Sequence, residues 1–242
     1  MTLTTDEAHV DVCAVATHHP KASSIVKRLY ASLHKISDFL RDLSLVRTVV
    51  CNWRSNLRPF SIMLYPKTHF HVGPNAKVIH KSGHLRIGRR WSVARFRHSE
   101  LIIADGGTLE VGGESEIFTG CSIIVDPGAT LSLGSGCAIN MNARIAVFNR
   151  VSIGNRALIS ENVTIRDSDN HAVTGGSEVV SAPIAIGDDV LIGVNSTILK
   201  GVSIGDGCVV AAGSVVTRSF EPRMLIGGVP ARIIRANVNW KP

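Results

Sequence analysis

The chain has 242 residues, 45% of them apolar, 19% charged and 5% aromatic, with 26 Lys and Arg against 19 Asp and Glu. That length suits one substantial domain with room for an appended segment. The apolar content excludes a disordered tail protein, and no apolar run approaches the roughly eighteen residues that a membrane span needs.

Positive charge is distributed unevenly. Residues 1–100 carry 16 Lys and Arg against 6 Asp and Glu, whereas residues 101–242 carry 10 against 13. Such a basic half suits a solvated face or contact with an anionic surface. The opening MTLTTDEAHVDV has no basic region followed by an apolar core, so no secretory leader is expected there. The five cysteines (13, 51, 121, 137 and 208) form no CxxC pair, which fits a reducing, cytoplasmic setting.

Residues 1–70 read as an N-terminal basic helical segment. Within SSIVKRLYASLHKISDFLRDLSL, Leu29, Leu33, Ile36, Leu40 and Leu43 fall on one face at helical spacing. Lys27, Arg28, Lys35 and Arg41 place positive charge elsewhere on it. Packing against the rest of the protein is one role for that face. Peripheral contact with an anionic membrane is the other.

Residues 71–220 carry an internal repeat, ragged from Val72 to Val93 and regular beyond. Aliphatic residues recur every six positions at Ile186, Ile192, Ile198, Ile204, Val210 and Val216. A small or β-branched residue follows four positions later, as at Val190, Ser196, Val202, Cys208 and Ser214. A period of six matches neither a 3.6-residue helix nor a simple alternating hairpin, but it fits the short strands of a parallel β-helix. Upstream, the register comes in triplets: Val111, Ile117, Ile123; Leu133, Ile139, Ile145; Ile153, Ile159, Ile165. If three hexapeptides make one coil of a three-sided prism, every slip between triplets falls at the same corner. The largest, between Ile165 and Ile186, then projects as a loop spanning 167–182. Cys121, Cys137 and Cys208 occupy the small slot of the repeat and read as buried hydrophobes.

The runs IGNRALISENVTI, DSDNH and IAIGDDVLIGVNSTILKGVSIGDG, followed by VVAAGSVVTRSF and IGGVPARIIR, resemble the hexapeptide-repeat acyltransferases. The resemblance is strongest to galactoside, maltose and surface-polysaccharide O-acetyltransferases, and it covers roughly residues 111–236. It implies an all-β solenoid, a left-handed parallel β-helix, assembled as a homotrimer with acetyl-CoA sites between subunits. It also implies transfer of an acetyl group from acetyl-CoA to a hydroxyl of a sugar or polysaccharide precursor. No metal and no nucleic acid is expected.

In similar enzymes a loop histidine takes the proton from the acceptor hydroxyl, which then attacks the thioester. His171, within DSDNH, matches that position. A sugar hydroxyl is a poor nucleophile near neutrality and imidazole titrates close to it, so a base of this kind suits the reaction. Asp169 is a candidate to orient the imidazole, with Asp167 and Glu161 behind it. Asn142 aligns with an asparagine near the acetyl group and acceptor in similar enzymes, and it also suits a corner that needs an unusual backbone conformation. For the donor, Gly193, Ala212, Gly213 and Ser214 are expected to wall the pantetheine arm. Thr217, Arg218, Arg232 and Arg235 match positions that meet the nucleotide phosphates. The tail 221–242 would complete that site. At Leu191 and Val194 the sequence departs from relatives that often carry Trp and Ser.

Rival readings are an N-acyltransferase acting on an amino sugar and a non-enzymatic β-helix scaffold. A zinc-dependent β-helix enzyme needs three placed histidines, and beyond His98 the sequence has only His171. His69 and His71, two residues apart, are expected to share a strand face.

Overall fold

The computed structural model describes residues 42–91, 94–172 and 179–240. Most of the helical pattern expected in residues 1–70, including Leu29, Leu33, Ile36 and Leu40, lies outside the described residues. From Leu43 onward the chain forms one compact unit.

Three sheets, parallel except for the last strand of the first, make the faces of a prism, with nine, seven and six strands among the described residues. Each turn of the chain contributes one strand to each face. In one coil, Ala138–Ile139 lies on face 1, Arg144–Val147 on face 2 and Arg150–Ile153 on face 3. The repeat sets the register directly. On face 2, Ile123 pairs with Ile145, Ile145 with Ile165, Ile165 with Ile198, and Ile198 with Val216. Like residues therefore stack on like from coil to coil, and the six-residue aliphatic positions are almost wholly buried. Each such side chain contributes roughly 1.5–3 kcal/mol relative to exposure.

The small slot of the repeat also points inward. Val190, Ser196, Val202, Cys208 and Ser214 are all buried, which is why the slot tolerates only compact side chains. Cys121, Cys137 and Cys208 are buried as expected, and burial pushes the Cys121 thiol up to about 12. Such a thiol is no nucleophile.

The slips in the sequence register do fall at one corner, between faces 2 and 3. It holds the turn 126–129, the tighter turn Phe148–Asn149 and the long insertion between Arg166 and Ile184. The ragged stretch has its own cause. Between Leu85–Arg89 on face 1 and Ser99–Ile103 on face 2 the chain carries more residues than the corresponding corner of the next coil, between Ser115–Phe118 and Ser122–Val125. The prism begins at Ile62, ahead of the boundary expected at 71, because Ile62–Leu64 already pairs with Leu85–Ile87 on face 1. At the other end, Leu225–Gly228 extends face 1 past 220 and turns back, antiparallel, through Ala231–Arg235. The architecture is the expected solenoid, a left-handed parallel β-helix.

One described helix, α1 (Leu45–Arg54), precedes the first coil. No helix among the described residues is long and apolar enough to cross a membrane.

Candidate active site

The insertion is built from its neck outward. Asp167 is fully buried, and its carboxylate accepts from the backbone N–H groups of Phe148 at 2.7 Å and Asn149 at 2.9 Å. It thereby closes the turn of the coil below. Across the neck, Asp169 N donates to Val180 O at 2.9 Å and Ala182 N to Asp167 O at 2.9 Å, so the two arms run as a short antiparallel pair. Arg166 lies over the Phe148 ring at 4.9 Å and donates through Nε to Ser168 O at 2.7 Å.

The next coil holds the neck from the other side. Lys200 Nζ lies 2.9 Å from the Asp169 carboxylate and also donates to the carbonyl of Val179. Gly201 N donates to Ala182 O at 3.0 Å. Asn170 then takes a left-handed conformation at φ 64°, with its N–H bonded to Ser168 Oγ at 3.0 Å. That reversal delivers His171 to the surface, exposed and without a hydrogen bond or ion pair among the described residues.

The neighbours expected for His171 are otherwise engaged. Asp167 serves the turn beneath the loop, and Asp169 makes its ion pair with Lys200. Within one chain, then, the structure gives Asp169 a role in fixing the loop rather than a bond to the imidazole. Lys200 was not singled out in the sequence. Its signal was its place at the corner directly beyond Leu199, facing the insertion.

Asn142 stands at the corner between faces 1 and 2 with φ 61°. Its Nδ2 donates to Asn162 Oδ1 at 3.2 Å, and Asn162 Nδ2 donates in turn to Asn195 Oδ1 at 3.0 Å. Asn162 and Asn195 share the left-handed conformation, at 58° and 60°. Asparagine adopts it at less cost than most residues, so the three form a ladder of corner amides. Trp91 and Arg97, from the second coil, reach this ladder. Arg97 donates to Asn142 Oδ1 at 3.3 Å, and the Trp91 indole donates to Asn140 Oδ1 at 3.3 Å.

The residues expected to meet the donor divide into two groups. Ser214 is fully buried. Its hydroxyl donates to Ala211 O at 2.6 Å and accepts from Gly228 N at 3.3 Å, so the side chain closes the last coil from inside. A Cβ on Gly193 would approach Ala212 N and Val210 O to 2.7 Å, which makes that glycine a requirement of coil stacking. Ala212, Gly213, Thr217, Arg218, Arg232 and Arg235 are exposed, and Gly213 at φ 70° has open space before it. Arg218 lies 5.2 Å from the Phe220 ring centroid, along a groove of about 460 Å³ shared with Pro222 and Ile233. Exposed guanidinium groups beside an open backbone corner fit the phosphates and the amide-bearing arm of a coenzyme A thioester.

His69 and His71 do share a strand face, with their rings stacked at 6.2 Å. Among the described residues, no group of three or more His, Cys, Asp or Glu side chains is placed to hold a metal ion.

Comparison with known proteins agrees with this architecture. Residues 183–218 match the family model for the hexapeptide repeat of succinyl-transferase. The chain is 38% identical over 111 residues to the galactoside O-acetyltransferase of Escherichia coli K12, covering 45% of this chain and 55% of that one. It is 40% identical over 85 residues to the putative acetyltransferase YvoF of Bacillus subtilis, covering 35% and 47%. The chain thus spans about half the length of these curated relatives. Two solved structures share the fold at 24% identity. They are the polySia-specific acetyltransferase NeuO (TM-score 0.56, covering 75% of this chain and 85% of that one) and the polysialic acid O-acetyltransferase OatWY (0.52, covering 72% and 91%). With the six-residue repeat of the coils, these matches show that the chain has the fold of these acetyltransferases and is similar in sequence, over about half their length, to members of the hexapeptide-repeat acyltransferases.

Proposed function

We propose that this protein transfers an acetyl group from acetyl-CoA to a hydroxyl of a sugar or polysaccharide precursor, with His171 as general base. The observation that carries the reading is an exposed imidazole on an insertion whose neck is held from both sides, by Asp167 below and Lys200 above. A solvated, mobile histidine would need no such support. Similarity to a galactoside O-acetyltransferase supports a sugar hydroxyl as acceptor.

The imidazole removes the acceptor proton as the oxygen attacks the thioester carbonyl, and the coenzyme leaves as a thiolate. Coenzyme A thiolate is a competent leaving group, so one base suffices. Transfer is direct, because the cysteines of the coils are buried and, among the described residues, no serine nucleophile is paired with His171. The exposed Arg218, Arg232 and Arg235, with Thr217, would hold the nucleotide end, and the corner at Ala212–Gly213 the pantetheine arm. Asn142 would flank the acceptor, with its amide oriented by Asn162 and Arg97. Homotrimeric assembly and a cytoplasmic setting belong to the same reading, as does peripheral contact with a membrane through the basic N-terminal part of the chain.

The test follows release of the coenzyme thiol across a panel of galactosides and acidic glycans. Acceptor-dependent release is expected, and no radiolabel from acetyl-CoA should remain on the protein. Labelled protein isolated during turnover would overturn direct transfer, and release unaffected by every glycan would overturn the choice of acceptor.

A further inference from the structure

Helix α1 has its polarity reversed. The residues it buries are Thr48 and Asn52, whereas its exposed side carries Leu45, Val46, Val49, Val50 and Trp53. The buried side has a clear task. Ile62–Leu64 is the edge strand of face 1, and an edge leaves backbone groups unpaired. Asn52 accepts from Ile62 N at 2.9 Å and donates to Ile62 O at 2.7 Å, while Thr48 Oγ1 accepts from Leu64 N at 3.0 Å. The helix thus closes the end of the prism with polar side chains, and its apolar residues are left facing outward.

That outward face is continuous. At about 100° per residue the five apolar side chains span an arc of about 140°, with Arg47 and Arg54 along its border. Val46 is 77% exposed and Trp53 80%. Surface helices of globular proteins ordinarily turn such a stripe toward the core.

The charge around this end identifies what the face meets. Residues 43–99 contain 11 Lys and Arg and no Asp or Glu. Arg86 and Arg89 are neutralised from the third coil by Glu114 and Glu116, and Arg47 donates to the carbonyl of Thr68. Arg54, Arg58, Lys67, Lys77 and Lys81 stay exposed around the helix and first coil. An apolar stripe bearing a tryptophan and surrounded by cations matches an interface that is apolar within and anionic at its surface.

We propose that α1 is a membrane-docking helix, which lays Leu45, Val46, Val49, Val50 and Trp53 into the headgroup region of an anionic bilayer while the basic rim meets the lipid phosphates. This gives the peripheral contact a defined surface, and it stands independently of the chemistry assigned to His171.

The test is flotation of the full-length protein with vesicles of phosphatidylglycerol and phosphatidylcholine, and with phosphatidylcholine alone. Binding is expected to the anionic vesicles only, with a blue shift of fluorescence that Trp53→Phe removes. Val46→Asp and Val49→Asp, both at exposed positions, should each weaken binding by at least about ten-fold. Arg54→Gln should weaken it by about five-fold at low salt. Circular dichroism and melting of each variant establish that the fold is kept. Absence of vesicle binding would overturn the proposal. So would binding that the α1 variants leave intact, which would move the contact into residues 1–41. Concentration-dependent association without lipid, abolished by Val46→Asp, would also overturn it and make the face a contact between copies of this chain. Thiol release in solution is expected to persist in all these variants, so failure here is distinguishable from failure of the transferase reading.

Discussion

Two corners of the prism solve the same problem, reversing the chain between faces, in different ways. Between faces 1 and 2 the reversal repeats: Gly120, Asn142, Asn162, Asn195 and Gly213 all take positive φ at equivalent places. The asparagines bond to one another, so each coil is closed by a copy of the side chain in the next. Between faces 2 and 3 the reversal repeats only in the first three coils, where Asn75, Gly106 and Gly128 take positive φ in like turns, and then departs from the pattern. After the turn at 126–129, a tighter turn at Phe148–Asn149 and the long insertion follow one another, and each is stabilised by its own contacts. A repeating corner stacks coils and leaves few side chains free, whereas a non-repeating corner is able to hold out a reactive one.

The largest break in this comparison should come from the irregular corner. His171→Ala is expected to lower turnover by about 10²–10⁴-fold, the range of general-base assistance. Assembly, melting temperature and acetyl-CoA affinity should be unchanged, and normal turnover in this variant would remove His171 from the mechanism. Asp167→Ala acts on folding, since two backbone N–H groups lose their acceptor. A loss of about 1–3 kcal/mol in denaturant unfolding is expected, with turnover falling because the neck of the loop loosens. An unchanged midpoint would show that water replaces the carboxylate there.

The regular corner should respond more mildly. Asn162→Ala keeps a left-handed residue without the amide that makes it tolerable, at a cost of about 1–2 kcal/mol. Asn162→Gly relieves the backbone and should cost less, so equal losses would assign the effect to the amide ladder alone. The smallest effects belong to the ion pair at the neck. Asp169→Ala and Lys200→Ala should each change stability by no more than about 1 kcal/mol, as partly exposed pairs do. Lys200→Ala should lower turnover at least as much as Asp169→Ala, because it removes the same ion pair and also the bond to the Val179 carbonyl. A much larger loss for Asp169→Ala would mean that its carboxylate reaches the imidazole directly.

The contrast between corners also explains what was legible in the sequence. The repeat is a strict periodicity, so the inward positions, the stacking register and the corner that takes up insertions all followed from spacing. Ser214 shows the limit of adding resemblance to it. The repeat already put Ser214 in the inward slot, and the structure keeps it there, bonded to Ala211 and Gly228, although the resemblance suggested a wall of the donor site. Lys200 and the contacts of Trp91 and Arg97 were not legible, because they are single departures from the period and gain meaning only when a neighbouring coil lies against them. Helix α1 escaped for a physical reason. Helical pattern reading looks for an apolar face turned inward, and this helix buries the polar one to close a strand edge.

The central claim is that this prism binds a coenzyme A thioester and transfers its acyl group. Calorimetric titration of the purified protein with acetyl-CoA, with adenosine bisphosphate for comparison, tests it without knowledge of the acceptor. Saturable binding stoichiometric with the chain is predicted, weakened by loss of Arg218 or Arg232 and competed by the nucleotide. The absence of saturable binding to folded, assembled protein would contradict the account.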